Sequence, residues 1–354
     1  MFLALCLLYF VVFAFSLNDI FATPTSLRKK IYFFLSCAIA IFSFLIYDKI
    51  PATDAVNYVY NYDSLSSFAD YIKGINRGIH GYEAGFSLVS LFMKIFINNG
   101  VFAMSLIAAL GVLGITYQIS RYTQFWFIAL LVYIGHFYGW NGLILLRQTC
   151  ALVILFSLLK YIPEKKYFRA ILLILLATLF HASSLIYLLV FPLYKILQNN
   201  KLVFVAIIAS FLIGYFEVIP RFIIMISDSI PRGEILENYI LNPGKGINWL
   251  SYLVMLFVWS VAVYFKQTLC QNNKYVEVSI VYLGLAIICA GLFQQFEIVI
   301  RFVMSFNFYA YVVLFPAFIY IFKNNWQNRL MYVSLLGVYL LLFFVRFFYI
   351  LDKY

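Results

Sequence analysis

Charge is scarce in this chain: only 11% of its 354 residues are Asp, Glu, Lys or Arg. Soluble domains carry about 25%. With 65% apolar residues, the chain has too little polar surface to cover a water-soluble globule. Cysteine and histidine are also sparse and fall into no ligand pattern. Cys6, Cys37, Cys150, Cys270 and Cys289 all lie inside apolar runs without CxxC spacing, which reads as small buried hydrophobes rather than a metal site or a disulfide framework. His80 and His136 make no metal-ligand spacing with one another, and no Asp-x-Asp pair is present to hold a divalent ion on a nucleotide sugar. That argues against a metal-dependent nucleotide-sugar transferase. No glycine-rich phosphate loop is found, so a cytoplasmic ATPase is disfavoured. No internal repeat stands out, whereas an inverted-repeat transporter is expected to show matched broken helices in its two halves. The first apolar run lacks a basic leader and is followed at once by further runs, so it reads as a membrane span and not as a cleaved signal peptide.

What the chain has in abundance is apolar runs, with a mean hydropathy of +0.95. They fall near 1–18, 31–48, 84–97, 101–119, 124–140, 143–161, 170–197, 202–219, 249–265, 276–294, 302–322 and 330–349. About 20 residues of helix cross a hydrocarbon core of about 30 Å. The fold class is therefore an all-α polytopic membrane protein. The formal charge of +11 is spread between the runs in ones, twos and threes, not gathered on one face, which argues against a nucleic-acid partner.

Basic loops stay in the cytoplasm, so Arg28-Lys29-Lys30 places the first loop inside and segment 51–83 outside. If every run crossed once, Arg121 and the cluster Lys160, Lys165, Lys166 and Arg169 would fall outside, the wrong side for the most basic loop. Two departures restore parity. Run 84–97 is short and contains Lys94, so it reads as a re-entrant or interfacial helix on the outer side. Run 170–197 is too long for one span and is interrupted at His181-Ala182-Ser183-Ser184, so it reads as two short spans with His181 near the outer turn. The result is a single integral-membrane domain, 1–354, of about twelve spans with both ends outside. Its inner side then has fourteen cations against Asp19, Glu164 and Glu277, a balance of +11, and its outer side has eleven of each sign. The long outer segments 51–83 and 220–248 are expected to roof a cavity open to the outer leaflet.

Ionisable groups near membrane depth are costly and are functional candidates by default, with structural ion pairs as the alternative. Asp54, Tyr58 and Tyr62 are spaced i, i+4, i+8 and share one face if the stretch is helical. A carboxylate beside two phenols suits a sugar; equally, Asp54 would cap an interfacial helix with aromatic-belt tyrosines. Glu83, in Gly81-Tyr82-Glu83-Ala84-Gly85-Phe86, opens the re-entrant helix and suits either a base or a helix-dipole partner. Arg147, in Trp140-Asn141-Gly142-Leu143-Ile144-Leu145-Leu146-Arg147-Gln148, lies about one turn inside the outer end of an apolar span and needs an anion, a neighbouring acid or a phosphate. His181 sits at a helix break. Arg221, Arg232, Tyr239 and the Glu297/Arg301 pair complete the set, although Glu217 and Arg221 repeat the i, i+4 spacing and both pairs suit intrahelical ion pairs.

In order and spacing, Asp54 with its tyrosines, Tyr82-Glu83-Ala84-Gly85-Phe86, Leu146-Arg147-Gln148 and Leu179-Phe180-His181-Ala182-Ser183-Ser184 resemble the EpsG family of Wzy-type polysaccharide polymerases. The resemblance is strongest over 50–195. Ala84 stands where the family's Glu-Pro-Gly-Phe has proline, and the C-terminal third matches only through Arg301 and Pro316. The resemblance implies an inner-membrane O-antigen or exopolysaccharide polymerase, with an all-helical fold similar to lipid-linked-sugar (GT-C-like) glycosyltransferases. Such enzymes join undecaprenyl-pyrophosphate-linked oligosaccharides on the periplasmic side, and a chain-length regulator protein is a further partner it implies. No cofactor is expected, because the donor carries its own pyrophosphate and guanidinium groups can take the place of a metal. Arg147 is the first choice for the leaving group, with Arg301 and Arg221 behind it and Gln148 alongside. Glu83, Asp54 and His181 compete as base, Glu83 first. Tyr58, Tyr62 and Tyr239 would contact sugar rings.

Two other classes fit the size and the polar residues. A flippase or transporter of lipid-linked oligosaccharide needs alternating access, whereas these candidates lie on the outer side only. A membrane O-acyltransferase would use His181 as base.

Overall fold

The computed structural model describes residues 2–21, 25–50, 52–65, 82–219, 221–222, 248–294, 297–322 and 325–351. Every regular element among them is helical. Among the described residues five helices, Ser26–Lys49, Gly100–Tyr122, Trp126–Ile144, Phe302–Phe322 and Trp326–Phe348, are long and apolar enough to cross a membrane. A sixth candidate is the pair Trp249–Tyr264 and Lys266–Asn272, bent by 77°. These helices lack an amphipathic stripe because lipid and protein core are equally apolar. Thus Phe33, Phe34, Leu45, Leu335 and Leu342 stand exposed on their surfaces.

The chain divides into two compact units, residues 1–185 with 322–354, and residues 186–321. The first contains α1 (Phe2–Asn18), α2 (Ser26–Ile46), α3 (Thr53–Ser64), α4 (Ala84–Lys94), α5 (Gly100–Tyr122), α6 (Trp126–Val132), α7 (Leu146–Leu155), α8 (Leu158–Tyr161) and α9 (Tyr167–Thr178). In the second, α10 (Val190–Leu197) and α11 (Asn200–Tyr215) are followed by α12 (Trp249–Tyr264), α13 (Lys266–Asn272), α14 (Val276–Leu292) and α15 (Glu297–Ala317). The last helix, α16 (Trp326–Leu351), belongs to the first unit. In the second unit α14 packs on α11, α12 and α15. A Cβ on Gly214 would stand 1.9 Å from the Gly291 carbonyl oxygen, so α11 and α14 approach at a point only glycine permits.

In the first unit, α2 lies along α5 and α1 along α6. Beneath α1, the carboxylate of Asp19 accepts the N–H groups of Phe127 and Ile128 at 2.8 and 3.0 Å and pairs with Arg28, tying the 19–28 connection to the start of α6.

The run expected to re-enter the membrane forms α4, 11 residues long. At 1.5 Å per residue it reaches about 16 Å, roughly half a bilayer core. Its single cation is used structurally. Lys94 Nζ donates to the Tyr62 and Asp63 carbonyls at 3.1 and 3.2 Å, closing the C-terminus of α3, while Asp63 Oδ1 accepts the Gly100 N–H at 2.8 Å and opens α5. The break expected near His181 is also present. Helix α9 stops at Thr178, residues 179–181 leave the helix, and Ala182–Leu189 continues as a 3₁₀ turn.

One expectation is corrected. The sequence reading divides spans at Asn141-Gly142, but that dipeptide lies inside a π-helical segment, Tyr133–Ile144, which extends α6. The division falls at Leu145, whose N–H bonds the Trp140 carbonyl at 2.7 Å, an i to i+5 link. The Asn141 carbonyl is taken by the Thr149 hydroxyl, so the wide turn leaves it satisfied. The run 143–161 is correspondingly not one helix: α7 ends at Leu155 and α8 resumes at Leu158.

Candidate functional site

Four segments of the first unit bring Glu83, Arg147, His181 and Tyr58 together. Glu83 holds the N-cap position of α4 with extended backbone, φ −66° and ψ 149°, yet makes no side-chain cap bond to its own helix. Its carboxylate reaches across instead. Oε2 accepts from Arg147 Nη1 at 2.5 Å, and Oε1 accepts the Ala182 N–H at 2.9 Å, with His181 Nδ1 3.5 Å away. The Gly85 N–H donates to the Leu179 carbonyl at 2.7 Å, fastening the start of α4 to the helix break. A Cβ at Gly85 would stand 2.8 Å from both the Leu179 Cβ and its oxygen, which explains the glycine in Tyr82-Glu83-Ala84-Gly85-Phe86.

Arg147 stands in the first turn of α7, not one turn inside a span. A helix N-terminus carries a partial positive charge, so a guanidinium there adds cation to cation and calls for an anion, which Glu83 supplies. The guanidinium also lies 4.5 Å over the Tyr82 ring and 5.7 Å from the Tyr58 ring, and its Nε donates to the Tyr58 hydroxyl at 3.3 Å. Asn61 Nδ2 in turn donates to the Tyr82 hydroxyl at 3.0 Å. Glu83 and Arg147 side chains are 18% and 16% exposed, so the pair is half-sheltered but open to a ligand.

Burial pushes the Glu83 carboxyl up, but the His181 imidazole, the Ala182 N–H and the Arg147 guanidinium outweigh it and hold the group at about 2. Burial, with Tyr58 nearby, pushes the Tyr82 phenol up to about 12, so it remains a neutral partner. Both His181 nitrogens are buried; Nδ1 faces Glu83 Oε1 at 3.5 Å, a long contact, and Nε2 makes no hydrogen bond among the described residues.

The remaining candidates divide. Asp54 lies in the first turn of α3, which caps on Ala52, and is close enough for its charge to bear on Tyr82. Tyr58 and Tyr62 share the predicted helical face, but both are buried. Tyr58 packs on Tyr82 and Phe86, and the Tyr62 hydroxyl is committed to the Ile97 carbonyl at 2.7 Å. The cleft beside them, lined also by Asn61, Ser87 and Ser90, has about 10 Å³ free, the room of one water. In this state no sugar ring lies between the aromatics without their separating. Gln148 is buried next to Arg147. Arg221, in the second unit, is exposed and 4.0 Å from Glu217, the i, i+4 pair its spacing allows. Of Arg301 only the helical backbone of α15 is described, and Tyr239 and Arg232 lie outside the described residues. Among the described residues no three His, Cys, Asp or Glu side chains gather as a metal site.

Three contributors escape a reading of residue types: the Ala182 backbone N–H, the Tyr82 ring and the Gly85–Leu179 contact. Only Tyr82 had a signal, its place beside Glu83.

An all-helical membrane protein with a guanidinium, a carboxylate and an imidazole meeting at the tip of a half-length helix is the class defined here. The EpsG family model matches residues 30–354, nearly the whole chain, and the chain belongs to the EpsG family, a match that points to a polysaccharide-polymerase-like membrane protein. Comparison with curated proteins and with solved structures returned no match.

Proposed function

We propose that this chain is a polysaccharide polymerase that joins undecaprenyl-pyrophosphate-linked oligosaccharide repeat units on the periplasmic side of the bacterial inner membrane, without a metal. The observation that carries the reading is the convergence of Glu83, Arg147 and His181, residues from three separated motifs, into one half-sheltered cluster. We assign that cluster to the outer surface from the distribution of basic loops; the 11-residue length of α4, about half a bilayer core, suits a re-entrant helix on either face.

In the reaction, a hydroxyl oxygen at the non-reducing end of the new unit bonds to the anomeric carbon of the growing chain. The bond from that carbon to the lipid pyrophosphate breaks, its electron pair leaves on the phosphate oxygen, and the hydroxyl proton passes to a base. Arg147, at the positive end of α7, stabilises the charge that develops on the pyrophosphate. Tyr58, Tyr62 and Gln148, the expected sugar contacts of this unit, are buried and would meet a sugar only once the aromatics separate. For the base, a carboxyl held at about 2 is too weakly basic to be effective near neutral pH. We therefore assign Glu83 to orienting the His181 imidazole and holding Arg147, with His181 or Asp54 taking the proton. The overall architecture is GT-C-like, and a chain-length regulator is the protein partner.

Complementation of a polymerase-deletion strain tests this. Arg147→Ala at matched protein level should leave single repeat units on the lipid A core and no long polymer. Normal long-chain polymer would refute the leaving-group role. Loss of all surface sugar would favour a flippase, and a fully polymerised glycan lacking acetyl groups would favour an acyltransferase.

A further inference from the structure

A second cavity of the first unit shares no lining residue with the cleft beside the Glu83 cluster. It is a groove of about 600 Å³ between α2 and α5, within the ~300–1,000 Å³ typical of small-molecule sites. On α2 it is lined by Lys29, Phe33 and Cys37, on α5 by Leu113 and Tyr117, and Trp126 contributes from α6. From Lys29 to Cys37 the wall spans eight residues of helix, about 12 Å at 1.5 Å per residue. Its two ends differ in chemistry. The rings of Phe33 and Tyr117 are exposed at 61% and 62%, forming apolar walls open to lipid. At the other end Lys29 is exposed, and just beyond the lining, one turn after Tyr117, Arg121 lies with its guanidinium 5.7 Å from the Tyr117 ring. Among the described residues neither cation has a carboxylate partner, in contrast to their neighbour Arg28, which is buried and paired with Asp19. Cations stay unpaired beside an apolar slot at a membrane surface where an anionic head group with an attached chain can satisfy both halves at once.

We propose that this groove binds an anionic phospholipid of the leaflet facing the Arg28-Lys29-Lys30 loop. The phosphate sits at Lys29 and Arg121, and an acyl chain runs between Phe33 and Tyr117 toward Cys37 and Leu113. The site is separate from the Glu83 cluster and serves to hold lipid against the α2–α5 pair.

Native mass spectrometry of the purified full-length chain, released from detergent with equimolar phosphatidylglycerol and phosphatidylcholine, provides the test. The wild-type protein should retain phosphatidylglycerol in preference. The double variant Lys29→Gln with Arg121→Gln should retain it on the order of tenfold less. Cys37→Trp, which fills the slot without changing charge, should also lower retention while both variants keep the wild-type unfolding temperature in phosphatidylcholine. Undiminished phosphatidylglycerol retention in either variant overturns the site. Displacement of phosphatidylglycerol by an equal amount of undecaprenyl phosphate overturns the phospholipid assignment in favour of a polyprenyl carrier.

Discussion

The Gly85 N–H donates to the Leu179 carbonyl at 2.7 Å, and a Cβ on Gly85 would come within 2.8 Å of the Leu179 backbone oxygen. The start of the half-length helix and the break that presents His181 are thereby one joint, and the distance from Glu83 to the imidazole is set by two residues that carry no charge.

Gly85→Ala should therefore damage the site without touching an ionisable group. Overpacking of this kind costs about 1–3 kcal/mol. The variant should unfold at a lower temperature in detergent and make markedly less polymer than the wild type at equal protein level. Wild-type values of both quantities would show that the joint does not set the geometry.

Glu83→Gln isolates the ion pair. The folded carboxyl is held at about 2, below the ordinary carboxylate value of about 4.3. A group whose folded value is depressed stabilises the protein above its unfolded value, and that contribution disappears as pH falls through the folded one. The difference in stability between wild type and Glu83→Gln should reach up to about 3 kcal/mol at pH 5 and above and shrink toward zero near pH 2. Thermal unfolding across that range measures it, and a gap that persists at pH 2 would assign the loss to packing.

Two variants separate the candidate bases. If His181 accepts the proton, His181→Ala should reduce turnover of a synthetic lipid-linked repeat unit by roughly 10²- to 10⁴-fold with little change in KM. Asp54→Asn should then act mainly through KM. The opposite pattern moves the base to Asp54.

Orientation is open to direct labelling. Cysteine placed at Lys73 should react with an impermeant maleimide added to intact spheroplasts, and cysteine at Lys165 should react only after lysis. Labelling of position 165 from outside would reverse the charge argument.

The sequence was most informative where physical constraints are local. The short run at 84–97 points to a helix too short to cross a membrane, found as the 11-residue α4, and helical spacing alone places Tyr58 and Tyr62 on one face of α3. The charged members of the cluster were legible because ionisable residues are expensive in apolar sequence, so Glu83, Arg147 and His181 each stand out singly. Their mutual geometry was not legible, because it depends on backbone groups: the Ala182 N–H, the Leu179 carbonyl and the N-terminus of α7. The Asn141-Gly142 turn signal misled because a π-helical segment absorbs a helix-breaking dipeptide by bonding one residue further along. Lys94 and Asp63 serve as helix caps, a role set by which ends of α3, α4 and α5 meet and so invisible in the sequence.

The Asp19–Arg28 pair gives the basic triplet at 28–30 a history. In the proposed topology Arg28 counts with Lys29 and Lys30 in retaining that loop in the cytoplasm. Once α1 and α6 have packed, Asp19 cancels its charge and the guanidinium becomes part of the interior, leaving two cations at the surface. In the proposed topology one side chain thus serves both as an orientation signal and as a structural joint. A substitution there should be read out separately as misoriented protein and as unstable protein.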